Sequence, residues 1–254
     1  MQMTLRYKVV MWTWGLPVLR VVLVAAASTT VWLLTGARVT DFPPSPLLST
    51  AAMLPVNILC LLLVTRLVRR EGGTVRALIG FRPERIGRDL LWGVLWLFVL
   101  YVPFVATMLG VMALRFGSRL FESFEVVFVG GAGPDLPMVV WSALAVLAVL
   151  TFAPLNAPVE ELVYRGYAQG GLQRRHSAAV AITVPAVLFG LQHLWYAPTV
   201  DAALIYVCCF TAWGLVSGLI YRWQKRLMPL ILAHGIVNLG FTLPALAILF
   251  VNGA

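Results

Sequence analysis

The stretch PMVVWSALAVLAVLTFAPLNAPVEELVYRGY, Pro137 to Tyr167, decides how this chain is read. Its first part, Pro137 to Ala157, carries no charge over 21 residues, and about 20 apolar residues suffice to cross a bilayer as a helix. It then runs directly into two adjacent carboxylates, Glu160 and Glu161, with Arg165 four residues beyond the second. Carboxylates at membrane depth are costly, so they need a partner, a water-filled cavity or a function.

Outward from this stretch the chain repeats the same theme. Apolar runs extend roughly from Met11 to Thr35, Pro46 to Val68, Leu90 to Leu114, Ser177 to Ala197, Val200 to Tyr221 and Met228 to Val251. The composition is 61% hydrophobic and 11% charged, with a mean hydropathy of +0.90, whereas a soluble domain is about half apolar and a quarter charged. The runs are continuous rather than alternating, which excludes a barrel. The fold class is therefore all-α, a polytopic transmembrane bundle of seven spans, or eight if Pro244 divides the last. Residues 1–254 read as a single integral membrane domain without repeats. Cys60, Cys208 and Cys209 fall inside apolar runs and read as inert, with no metal spacing among them. Arg6, Lys8 and the first run resemble a signal peptide. Arg20 inside that run, and its continuation through Leu34, make it a retained first helix.

The formal charge of +9 is divided among short connections, which argues against a nucleic-acid partner. With a cytoplasmic N-terminus, the inside segments hold Arg6, Lys8, Arg66, Arg69, Arg70, Arg76, Arg82, Arg85, Arg88, Arg174, Arg175, Arg222, Lys225 and Arg226. The outside segments hold Arg38, Arg115 and Arg119, accompanied by Glu122, Glu125 and Asp135. This alternation follows the positive-inside rule. Glu71 to Leu90 is too polar to cross and reads as an interfacial turn or short amphipathic helix.

Three polar stations interrupt the apolar C-terminal half. At the first, Asn156 and Pro158 predict a kink or restart of the helix, with Asn156 as its cap. Glu161 and Arg165 stand at i and i+4 in the favourable order for an ion pair. Glu160, rotated by about 100°, is left free to face a cavity. The second station is FGLQH, Phe189 to His193, and the third is HGIVN, His234 to Asn238; each sets its terminal pair on one helical face. Singly, each has a plain reading: a histidine bonded to a neighbouring helix, an asparagine that packs helices, a solvated His176. Together, two carboxylates, two imidazoles and a carboxamide are the parts for activating water and holding an oxyanion.

The ordered set Glu-Glu-x-x-x-Arg, Phe-x-x-x-His and His-x-x-x-Asn on successive membrane helices resembles the CPBP intramembrane proteases, the type II CAAX prenyl endopeptidases and their bacteriocin-processing and immunity relatives. The resemblance covers about residues 137–244. It implies a peptidase in which Glu160 activates water with help from His193. Glu161 and Arg165 would support the site beside Phe189, and His234 and Asn238 would position water or bind the oxyanion. It implies a membrane-associated peptide or protein substrate, prenylated, lipidated or simply hydrophobic, met within the lipid bilayer. In a chain this compact it also implies a prokaryotic plasma membrane and a chamber opening to the cytoplasm. No cofactor is expected; the alternative is zinc on Glu160, His193 and His234. Other function classes are an ion-coupled transporter using the same residues as a relay, and a non-catalytic immunity or scaffold protein. A ruler along the helices puts His193 sixteen residues past Ser177, about 24 Å from that end, deeper than Glu160 and His234 are expected. The shared site therefore requires a tilted helix, a short one, or a recessed turn near Gly170.

Overall fold

A computed structural model describes residues 2–35, 42–129 and 134–247, with side chains from Met11 onward. Arg38, the side chains of Arg6 and Lys8, and the end of the last apolar run lie outside the described residues. Within them the chain is all helical, and seven helices are long and apolar enough to cross a membrane: Met11–Leu34, Pro46–Arg70, Val75–Arg119, Met138–Leu172, Ala178–Tyr196, Val200–Gln224 and Met228–Ala247. This is an integral membrane protein. Among the described residues the last run forms one span: its α-helix ends at Thr242 and passes into a 3-10 turn, Leu243–Ala247, that contains Pro244.

The first span belongs to the bundle rather than leading into it. Leu16, Arg20, Val24 and Ser28, spaced every four residues along one face, are all fully buried. The third span does the opposite. Leu91, Phe98, Val102 and Leu114 are more than two-thirds exposed, as befits a helix whose outer face meets lipid tails. Aromatic residues fill the interior between the third, fifth, sixth and seventh spans. Phe104, Phe189, Phe210 and Trp213 meet there edge to face.

The segment expected at the interface forms a short helix, Val75–Ile79, capped by the Thr74 hydroxyl, which accepts from the Ala77 amide, and closed by Gly80 in the left-handed region (φ 71°). A 3-10 turn, Pro83–Arg85, then leads into the third span. Arg226, between the sixth and seventh spans, ties this segment down: it donates to both carboxylate oxygens of Asp89 at 2.7 Å and to the Gly80 carbonyl at 3.0 Å. A bidentate arginine-carboxylate pair fixes orientation as well as proximity.

Candidate active site

The fourth span passes through the Glu-Glu motif without restarting. Pro154 and Pro158 sit inside it, and π-helical turns at Ala148–Phe152 and Glu161–Gln169 flank the intervening α-helix, Ala153–Glu160. Proline lacks an N–H and crowds the carbonyl four residues earlier; a widened turn absorbs that conflict without a break, and such turns recur at functional sites. Asn156 is therefore no cap, contrary to the expectation from sequence. It is buried, and its Oδ1 accepts from Arg20 Nη2 at 2.9 Å.

Arg20 also corrects the reading of Glu160 as a free carboxylate. Its guanidinium, fully buried, donates to Glu160 Oε1 at 2.8 Å, Asn57 Oδ1 at 3.0 Å and Gln192 Oε1 at 3.1 Å. Gln192 Nε2 donates to the same Glu160 oxygen at 2.9 Å, and the Tyr164 hydroxyl donates to Gln192 Oε1 at 2.9 Å. One oxygen of Glu160 is thus held by a cation and an amide. The other, Oε2, is buried, makes no hydrogen bond, and lies 3.4 Å from His234 Nε2.

The pairing of Glu161 with Arg165 is present, at 3.4 Å, and has an additional member. His234 Nδ1 donates to Glu161 Oε1 at 3.0 Å, which turns its Nε2 toward Glu160. Arg165 stacks over the Phe189 ring, 4.2 Å from its centroid. Phe189 also touches both imidazoles, with ring centroids 4.7 Å from His193 and 5.9 Å from His234. His193 lies flat against Phe210, and its Nδ1 is 2.7 Å from the Phe189 carbonyl. A carbonyl can only accept, so the proton is on Nδ1 and Nε2 carries the lone pair. Asn238 is buried, and its Nδ2 has no hydrogen-bond partner. All seven residues singled out in the sequence are gathered here.

The depth conflict disappears once levels are taken from contacts rather than helix ends. Gln169 donates to the Gly218 carbonyl at 2.7 Å, and a Cβ on Gly218 would lie 2.8 Å from Ile182, so Gln169 and Ile182 share a level. Glu160 is nine residues from Gln169 along its helix, and Gln192 is ten from Ile182. On the other side, a Cβ on Gly166 would come within 2.9 Å of Leu227. The seventh span therefore begins recessed, level with Gly166, and His234 arrives beside Glu160 after seven residues. Glu160 is as deep as His193, not nearer the helix end.

Above the site opens a cavity of about 550 Å³. Asn156, His193, His234 and Asn238 are among its lining residues, and the remainder is mostly apolar, including Phe104, Phe152, Phe210 and Phe241. Its wall reaches Pro46, Phe128 and Pro198, at the connections that the charge pattern assigns outside. No lining residue comes from the arginine-rich connections. A cytoplasmic N-terminus and a chamber open to the cytoplasm, both expected from sequence, are thus mutually exclusive in this fold.

Among the described residues no three His, Cys, Asp or Glu side chains are grouped to hold a metal. Glu160 Oε1 already faces a guanidinium, which opposes a second cation there.

Arg20, Asn57 and Gln192 are the residues sequence reasoning missed. Arg20 carried a signal, since an arginine within a membrane span implies a partner, but nothing in the sequence names a partner 140 positions away. Gln192, inside FGLQH, read as a spacer between Phe189 and His193.

Residues 140–240 match the family described as type II CAAX prenyl endopeptidase Rce1-like. The match supports the resemblance to the CPBP intramembrane proteases that the three motifs carry, and the matched family is one of proteases. No curated protein and no solved structure matches the chain.

Proposed function

We propose that this chain, whose residues 140–240 match the type II CAAX prenyl endopeptidase Rce1-like family, is an intramembrane endopeptidase that cleaves a membrane-associated, apolar or lipidated peptide with water activated by Glu160. One observation carries the reading. Glu160 Oε2 is a buried acceptor without a donor, 3.4 Å from His234 Nε2, and Asn238 Nδ2 is a buried donor without an acceptor; His234 and Asn238, with His193, line the cavity. Buried polar groups are nearly always satisfied. A water molecule on the glutamate and a substrate oxygen on the asparagine supply the missing partners.

In this mechanism Glu160, assisted by His193 Nε2, takes a proton from water as the water oxygen bonds to the scissile carbonyl carbon. His234 Nε2, an acceptor in this tautomer, helps position the water; the carbonyl π electrons move onto oxygen, and Asn238 Nδ2–H stabilises the resulting oxyanion. Collapse of the tetrahedral intermediate breaks the C–N bond, and the proton held by Glu160 passes to the departing amine. Glu161 holds His234 in its tautomer and orientation, while Arg165 and Phe189 hold Glu161 and the two rings in place. Arg20 supplies the counter-charge that allows Glu160 to stay buried. No metal is needed for these steps.

Cleavage of a library of lipidated and hydrophobic peptides in mild detergent tests the proposal. Glu160→Gln should lose about 10²–10⁴-fold in kcat, the usual contribution of a general base. Equal turnover by the variant and the native protein would refute the assignment.

A further inference from the structure

We infer that the chamber takes its substrates from the non-cytoplasmic face of the membrane: peptides anchored in or lying on the outer leaflet, with an apolar residue beside the scissile bond. The substrate part rests on the peptidase reading above; the sidedness does not.

The cavity has a definite end of the bundle. Its lining includes Pro46 and Thr50 at the start of the second span, Phe128 between the third and fourth, Pro198 between the fifth and sixth, and Phe241 near the end of the seventh. A chain that crosses seven times brings these points to one face. The connections around residues 71–85, 173–177 and 225–227 lie on the other.

Charge then orients the two faces. Of the nineteen lysines and arginines, fourteen belong to the face away from the cavity, counting Arg6 and Lys8 by sequence. Three, Arg115, Arg119 and (counted by sequence) Arg38, belong to the cavity face, and the remaining two, Arg20 and Arg165, are buried in the site. The cavity face carries Glu122, Glu125, Asp135 and Asp201, joined by Asp41 when it is counted by sequence, so acidic residues outnumber basic ones there. Short basic connections stay cytoplasmic, and a bias of this size sets orientation with little competition. The same face holds the bidentate Arg226–Asp89 clasp and the interfacial helix at Val75–Ile79, so its arginines are structured for a head-group layer.

The wall chemistry restricts what enters. Phe104, Phe128, Phe210 and Phe241 give the space above the polar floor an aromatic lining, suited to an apolar side chain or acyl tail. A prenylated protein in the cytoplasm would meet the arginine-rich face and has no route to this opening.

Cysteine accessibility in right-side-out membrane vesicles tests the assignment without requiring turnover. Cys60 and Cys209 are fully buried, so only the half-buried Cys208 is replaced, by alanine. Into this background are placed Thr50→Cys, in the cavity wall, and Arg175→Cys, exposed between the fourth and fifth spans. A membrane-impermeant maleimide should label T50C in sealed vesicles and R175C only after the membrane is opened, at least tenfold more slowly before opening. Labelling of R175C in sealed vesicles overturns the orientation. Failure to label T50C in sealed vesicles overturns the outward opening, whether or not it reacts later. Neither result depends on catalysis, so an inactive protein that labels as expected removes the peptidase reading and leaves the sidedness standing.

Discussion

Replacing Arg20 with methionine is the most demanding perturbation of the site. Met fills the same helical position but leaves Glu160 buried with no counter-charge. Two charges about 4 Å apart in an effective dielectric of about 20 attract by roughly 4 kcal/mol. Removing one partner of a buried pair typically costs about 3–5 kcal/mol. Asn57, Asn156 and Gln192 each lose a donor as well, although such losses in one network do not add. R20M should therefore lose about 3–5 kcal/mol, a large part of an ordinary folding free energy of about 5–15 kcal/mol. The double variant R20M/E160Q, which removes both charges, should recover at least 2 kcal/mol of that. Reversible unfolding of all three variants in mixed detergent micelles gives the coupling energy directly. The reasoning fails if R20M lies within about 1 kcal/mol of the native protein, or if the two substitutions add to within about 0.5 kcal/mol, the behaviour of independent sites.

Other consequences are quicker to check. Asn238→Ala should lower kcat about 10²–10³-fold, the usual effect of deleting one oxyanion donor, with KM nearly unchanged; a change confined to KM would place Asn238 in substrate binding instead. Gly190→Ala puts a Cβ 2.1 Å from Thr211 Oγ1 and 2.5 Å from the Val207 carbonyl, so the fifth and sixth spans must separate. A loss of about 1–3 kcal/mol is expected, and an unchanged melting temperature in detergent would contradict this packing. Strong chelators should leave peptide cleavage intact. Activity that vanishes with chelator and returns on adding zinc would move Glu160, His193 and His234 from acid-base work to metal ligation.

The seven spans were legible because the bilayer demands long uninterrupted apolar runs, and this chain supplies them between connections rich in arginine. The Glu161–Arg165 pair was legible because it is local: four residues on one helix decide it. Glu160 was not, because its partner comes from the first span, and a helical wheel drawn on the fourth span cannot show a guanidinium that arrives from another helix. The continuity of the fourth span was hidden for a different reason. Pro154 and Pro158 are local signals for a break, and the π-helical turns that accommodate them leave no mark in composition. Depth was misjudged by counting from helix ends, since Leu227 packs at the level of Gly166 and the last span starts well inside the bundle.

The buried charges also constrain how any loss of activity is to be read. Arg20 faces Glu160, and Arg165 faces Glu161; the two pairs balance, which lets four ionisable groups lie below 2% exposure while the imidazoles remain available for proton transfer. Deleting either glutamate leaves an arginine without its counter-charge in the same cluster. Inactivity of an E160A protein alone therefore does not separate a missing base from a collapsed floor. R20M/E160Q makes that separation. It restores the balance of charge, so a double variant that folds like the native protein and still fails to cleave isolates the chemical role of the carboxylate. If the folded double variant cleaves normally, Glu160 and Arg20 are a structural clasp, and the water must be activated by His193 or His234.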